Sequence, residues 1–219
     1  RWGGGVSVGG GRRTGPQWLD RHPPILPMTA LVLGLLLFLG VHSVRIVAEP
    51  WRTRTVARMG AGAWKGAYSV LSAVGLVLIV WGYGLARQDP VALWAPLTWA
   101  RHLGALLTLV AFVLLAAAYV PGNAIKARLH HPMVLGVKVW ALAHLLANHT
   151  LADLLLFGGF LVWAVLAFRS ARQRDAATGT VYGPGGVMAT LATVVAGMAA
   201  WAFFAFWAHG AWFGVRPFG

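Results

Sequence analysis

Six long runs of apolar residues recur along this chain, separated by short segments that hold most of its charges. A helix needs about 20 apolar residues to cross the hydrocarbon core of a bilayer. The runs have about that length and occupy residues 28–47, 67–85, 103–120, 133–148, 151–168 and 187–208. The pattern predicts an all-α, polytopic membrane protein, a bundle of about six transmembrane helices with the lipid bilayer as its surroundings.

Composition supports this fold class and excludes several functions. Apolar residues make up 58% of the chain and charged residues only 11%, outside the usual shares for a soluble domain. The formal net charge is +13, but the cations lie between the apolar runs and form no basic arm, so nucleic acid is not a predicted partner. The absence of cysteine excludes disulfides, thiolate metal ligands and cysteine nucleophiles.

The loop charges predict an orientation. With six alternating helices, the segments after the first, third and fifth share one side and carry ten Lys and Arg, counting Arg45. The segments after the second and fourth carry only Arg87 and Arg101. The positive-inside rule makes the first side cytoplasmic and places both termini outside. Only residues 148–150 separate the fourth and fifth runs, which predicts a tight hairpin near one surface.

Residues 1–27 do not share the apolar pattern. They hold seven glycines and show no amphipathic period, which predicts disorder or an artefactual N-terminal extension ahead of a start at Met28. The transmembrane domain is therefore predicted to occupy residues 28–219.

Two histidines fall inside apolar runs and are the strongest site candidates. His42 lies about 21 Å along the first predicted helix, and His144 lies about 18 Å along the fourth, after Pro132. An ionisable side chain inside a membrane is costly and is by default a candidate functional residue. The alternative for either residue is a structural hydrogen bond across helices.

A pair of embedded imidazoles on separate helices is typical of haem ligation. With no thiolate and almost no embedded carboxylate, haem b is the predicted cofactor, and His42 and His144 are its predicted iron ligands. The two helices are antiparallel, so these depths separate the imidazoles by about 9 Å along the membrane normal. That offset would strain flat coordination.

His102 and His131 are the predicted accessory residues. His102 lies at the start of the third helix, where an interfacial, structural role is favoured. His131 precedes Pro132 and is predicted to approach or cap the start of the fourth helix. Thirteen residues separate His131 from His144, which places them about 140° apart around a helix. One haem therefore cannot easily use both.

Several stretches of the chain resemble the NnrU family, bacterial inner-membrane proteins linked to nitrite and nitric oxide respiration. They are LFLGVHSVRI, WKGAYSVLSAVGLVLIVWGYGLAR, LWAPLTWARHLGALL, AAYVPGNAIKARLHHPMVLGVKVWALAHLLAN and LLLFGGFLVWAVL. The resemblance runs from Met28 through the fifth helix. It implies a role in denitrification with respiratory-chain proteins as partners, and it makes the outer side, with both termini, periplasmic.

The NnrU family is similar in turn to plant 15-cis-zeta-carotene isomerase, a haem b enzyme. Its HS pair matches His42 and Ser43, and its HP…W…LAH string matches His131 through His144. The resemblance implies the same two haem ligands that membrane depth indicates. The chain departs from the isomerase at Ala141, which replaces a cysteine, and at His130, which replaces an arginine.

Two alternative functions stay open at this stage. A redox-dependent cis–trans isomerase acting on a hydrophobic polyene would be the activity if the protein is an enzyme. The HP pair also resembles the RHP string of membrane S-adenosylmethionine-dependent methyltransferases. Against the methyltransferase, no acidic residue follows Asp175 to supply further polar contacts.

Overall fold

The computed structural model describes residues 25–95 and 97–218. The prediction for residues 1–27 therefore falls mostly outside the described residues. A π-helical turn at Phe204–Ala208 joins the last two helices. The helices are α1 Ile25–Val47, α2 Glu49–Met59, α3 Ala61–Ala86, α4 Thr98–Tyr119, α5 Ala124–Leu129, α6 Pro132–Ala147, α7 Leu151–Thr178, α8 Val187–Phe203 and α9 His209–Phe213.

Five helical segments are long and apolar enough to cross a membrane. They are Leu26–Val47, Ala61–Ala86, Trp99–Tyr119, Leu151–Thr178 and Val187–Phe213. The sixth predicted span, α6, has 16 residues and is about 24 Å long, shorter than the roughly 30 Å hydrocarbon core. The prediction of an all-α polytopic membrane protein is confirmed.

Loop contacts divide the bundle into two ends. The His131 end holds the C-termini of α1, α4 and α7 and the N-termini of α3, α6 and α8, and the His149 end holds the opposite termini. At the His131 end, Gly186 N donates to Gly122 O at 2.8 Å; at the His149 end, Leu93 N donates to His149 O at 2.8 Å. The helices α1, α3, α4, α6, α7 and α8 therefore alternate in direction along the chain. The last turn of α6 and the first turn of α7 are joined by the predicted tight hairpin.

Two helical segments extend beyond the predicted runs. The cationic segment after the first run is itself a helix, α2, with no buried residues. The fifth predicted run ends at residue 168, but α7 continues to Thr178 and is closed by Gly179 at φ 63°. Hydropathy marks where the chain leaves the lipid, whereas a helix ends where its backbone is capped. The charged last turns of α7 are thus helical and continue the spanning helix.

Glycines allow α1 and α3 to pack backbone against backbone. A Cβ added at Gly34 would lie 2.6 Å from Ile79 N, and one added at Gly82 would lie 2.4 Å from Leu31 N. Leu31 and Ile79 are almost fully buried at this contact. Small residues at such crossings are typical of helix association in membranes.

We expect Gly82→Ala to destabilise the bundle by about 1–3 kcal/mol, the usual cost of overpacking a tight core. Gly84→Ala is the matched control, because no atom lies within 4 Å of a Cβ added there. Thermal unfolding in detergent should separate the two variants. Equal stabilities would contradict the close packing of α1 on α3.

Candidate functional site

His42 lies one turn before the C-terminus of α1, near the His131 end of the bundle. Its Nδ1 is 2.7 Å from the carbonyl oxygen of Phe38. Because a carbonyl oxygen only accepts, Nδ1 carries a proton, and the tautomer with this proton has its lone pair on Nε2. Among the described residues, Nε2 has no hydrogen-bond partner. The ring stacks on Phe38, with the ring centroids 4.2 Å apart.

A cavity of about 410 Å³ lies beside His42, between α1, α2, α3 and α7. Its volume is in the usual range for small-molecule and cofactor sites. The walls combine an aromatic set and a cationic set. The aromatic side chains are Trp64, Tyr68 and Trp163, and the cationic side chains are Arg45, Arg52 and Lys65. The cavity therefore suits a flat apolar ligand that carries acidic groups.

His144 lies one turn before the C-terminus of α6, near the His149 end. Its Nδ1 is 2.9 Å from the carbonyl oxygen of Trp140, so its proton is placed as in His42. Its ring stacks on Phe157 of α7, with the ring centroids 4.5 Å apart. In the described part of the chain, its Nε2 also lacks a hydrogen-bond partner.

The structure does not bring His42 and His144 into contact. His42 contacts Trp163 and His144 contacts Phe157, positions about 9 Å apart along α7. Phe160 lies between these two positions on α7. Its ring packs on Phe38, the neighbour of His42, at 5.8 Å and on Trp140, the neighbour of His144, at 5.6 Å.

His131 belongs to a polar cluster at the His131 end of the bundle. It is the residue before α6, but its side chain makes no capping hydrogen bond. Instead its Nε2 lies 2.8 Å from Asp175 Oδ2, and the Tyr182 hydroxyl donates to the same oxygen at 3.0 Å. Burial and the hydrogen bond to Asp175 raise the pKa of the Tyr182 phenol. His130 stacks on Tyr182 at 4.1 Å and accepts from Arg172.

Sequence reasoning missed the parts that Asp175 and Asp153 play. Asp175 accepts hydrogen bonds from His131, the residue before α6, and from Tyr182 in the loop after α7. Asp153 is buried at the start of α7, where it forms a capping box with Thr150 and accepts from the Tyr83 hydroxyl at 2.6 Å. The available signal was scarcity, since the chain has five acidic residues in all.

The accessory candidate His102 is exposed near the start of α4, as its fifth residue. His209 Nδ1 is 2.7 Å from Val215 O. Groups of three or more His, Asp or Glu side chains able to hold a metal ion are absent from residues 25–95 and 97–218. A haem iron takes its equatorial ligands from the porphyrin and needs only one or two from the protein.

The apolar helices, their alternation and the embedded histidines define a polytopic helical membrane protein with a candidate cofactor site. A family model described as "NnrU protein" matches residues 30–217. The chain belongs to the NnrU family. No curated protein and no solved structure matches it.

Proposed function

We propose that this protein binds haem b in the membrane, with the imidazoles of His42 and His144 as iron ligands. The observation that carries the proposal is that both imidazole rings make the same hydrogen bond. In each, Nδ1–H donates to the carbonyl four residues earlier and Nε2 keeps its lone pair. This hydrogen bond to the second ring nitrogen is typical of metal-binding histidines, because it fixes the tautomer and makes the ligating nitrogen more basic.

The surroundings of His42 fit a haem. Aromatic walls match the porphyrin face, and the cations of the cavity match its two carboxylates. The bound haem would supply an iron that changes oxidation state. The protein's own residues would bind the porphyrin and orient the imidazole through Phe38.

The space between His42 and His144 does not hold a haem in the present packing of the side chains. Phe38, Phe160 and Trp140 are packed in series between the two histidines. Simultaneous ligation of one iron requires these rings to move. His42 has a cavity at its side, whereas His144 is not among the residues lining it. The contributions of His42 and His144 therefore have to be measured in separate variants.

The proposed role is in nitrite and nitric oxide respiration, in the inner membrane, with respiratory-chain proteins as partners. The family match supports the respiratory role.

The charge distribution supports the orientation in the membrane. The start of α1 lies at the His149 end. The C-terminal segment lies at the same end, since the Pro217 carbonyl accepts from Arg101 at 3.5 Å. Cations are concentrated at the His131 end, which is proposed to be cytoplasmic. Both ends of the described chain then face the periplasm.

We expect protein purified in mild detergent to carry stoichiometric haem, with a Soret band in its absorption spectrum. The His149→Ala variant should retain the haem because, within residues 25–95 and 97–218, His149 forms a hydrogen bond only through its backbone carbonyl. Haem content from the pyridine haemochrome assay checks both preparations. Haem-free, folded protein that binds S-adenosylmethionine stoichiometrically would contradict the proposal and favour the methyltransferase. Conversion of a cis polyene by the haem-loaded protein would identify the isomerase.

A further inference from the structure

A second cavity, of about 420 Å³, opens at the His131 end of the bundle. It lies where α1 and α7 end and α6 begins. Its polar wall includes Arg45, His131, Arg174, Asp175, Thr178 and Thr180. It shares Arg45 with the cavity beside His42, but its other lining residues are different.

The charges around this second cavity are not balanced. Its one acidic side chain, Asp175, already accepts from His131 and Tyr182. Arg174 donates to the Ser170 hydroxyl at 2.7 Å and, among the described residues, forms no ion pair with a carboxylate. Arg45 is 3.7 Å from Glu49, with 58% of its side chain exposed. Two guanidinium groups and one carboxylate therefore line this cavity, and the carboxylate accepts from His131 and Tyr182 rather than from either arginine.

We propose that this cavity binds a phosphate group through Arg45 and Arg174. Guanidinium groups bind phosphate oxygens in a bidentate manner, and two of them match the charge of a phosphate monoester better than that of a single carboxylate. Asp175 fixes the His131 ring at the cavity wall through Nε2. The ring's Nδ1 has no hydrogen-bond partner in the described part of the chain.

The phosphate group can belong to a lipid headgroup or to a free metabolite. The cavity lies at the end of the spanning helices, beyond the apolar part of α7, where a lipid headgroup could reach it. A water-soluble phosphate reaches the same place from the aqueous side. Both sources present the same oxygens to the two arginines.

The test is calorimetric titration of the full-length, detergent-purified protein with two probes, inorganic phosphate and a short-chain phosphatidic acid. We expect the wild type to bind at least one probe, and Arg174→Gln to bind it about tenfold more weakly, the loss typical of one charge-assisted hydrogen bond. Arg169→Gln is the matched control, since Arg169 is exposed on the same helix and does not line the cavity. Its affinity should equal that of the wild type.

Binding of inorganic phosphate assigns the site to a free phosphate, and binding of phosphatidic acid alone assigns it to a lipid. Arg174→Lys, which keeps the charge but loses the bidentate geometry, should have an intermediate affinity, and it replaces Arg174→Gln if that variant does not fold. Failure of both probes to bind the wild type, or equal affinity in the wild type and the Arg174 variant, overturns the proposal. Haem content is measured independently, so the two proposals can fail separately.

Discussion

The His42→Ala variant is expected to lose its haem. His42 is the imidazole in the wall of the cavity of about 410 Å³. The hydrogen bond from its Nδ1 to the Phe38 carbonyl leaves the lone pair on Nε2 and orients the ring. Changes to groups that merely support a metal ligand cost about 10- to 100-fold in metal affinity. Loss of the ligand itself should cost at least as much. The Soret band per protein should therefore fall to near background.

The matched control for His42→Ala is His102→Ala, which removes an exposed histidine near the start of α4. We expect its haem content to equal that of the wild type. His144→Ala completes the set, and the proposal that both histidines are ligands requires it to lose haem or to change the iron spin state. Loss of haem in His42→Ala alone would leave His42 as the ligand and contradict the role of His144.

The second large effect is expected at Asp153, where alanine should lower the free energy of unfolding. The carboxylate accepts from Thr150 N at 2.9 Å, from Thr150 Oγ1 at 2.6 Å and from the Tyr83 hydroxyl at 2.6 Å. Each partly buried donor left without a partner costs about 1–3 kcal/mol. The start of α7 keeps only the half of its capping box in which Thr150 accepts from the backbone N–H of residue 153. A loss on the order of 3 kcal/mol or more is expected.

Asp153→Asn distinguishes the stability that comes from the hydrogen bonds of the carboxylate from the stability that comes from the volume of the side chain. The amide keeps one oxygen acceptor and nearly the same shape, so it should lose less stability than the alanine variant. Tyr83→Phe should fall between the wild type and Asp153→Ala, because it removes a single bond. Unfolding followed by circular dichroism in detergent checks the order. An Asp153→Ala protein as stable as the wild type would show that the buried carboxylate does not stabilise the fold.

The apolar runs were sufficient to predict the fold class because the bilayer imposes a minimum length on every spanning helix. The same logic predicted the hairpin between α6 and α7, where residues 148–150 leave no room for a longer loop. It could not predict that α7 reaches Thr178 or that residues 49–59 form α2, because helices outside lipid are set by caps and charges rather than by hydropathy.

The candidate histidines were predictable because a titratable ring inside an apolar run is conspicuous. Their surroundings were not, since they depend on which faces of α1, α6 and α7 meet. Phe160 is one apolar residue among many in the sequence, yet in the fold it packs between the neighbours of His42 and His144. The bond from His131 to Asp175 joins residues 44 positions apart, beyond the range of any local pattern.

The measurement that tests the central proposal most directly is the electron paramagnetic resonance spectrum of the ferric protein, purified from cells supplied with haem. The proposal predicts a low-spin signal with two imidazole ligands in the wild type and its loss in both His42→Ala and His144→Ala, with His102→Ala unchanged. A folded wild-type protein without haem, or a low-spin bis-imidazole signal that survives in either His42→Ala or His144→Ala, would contradict it.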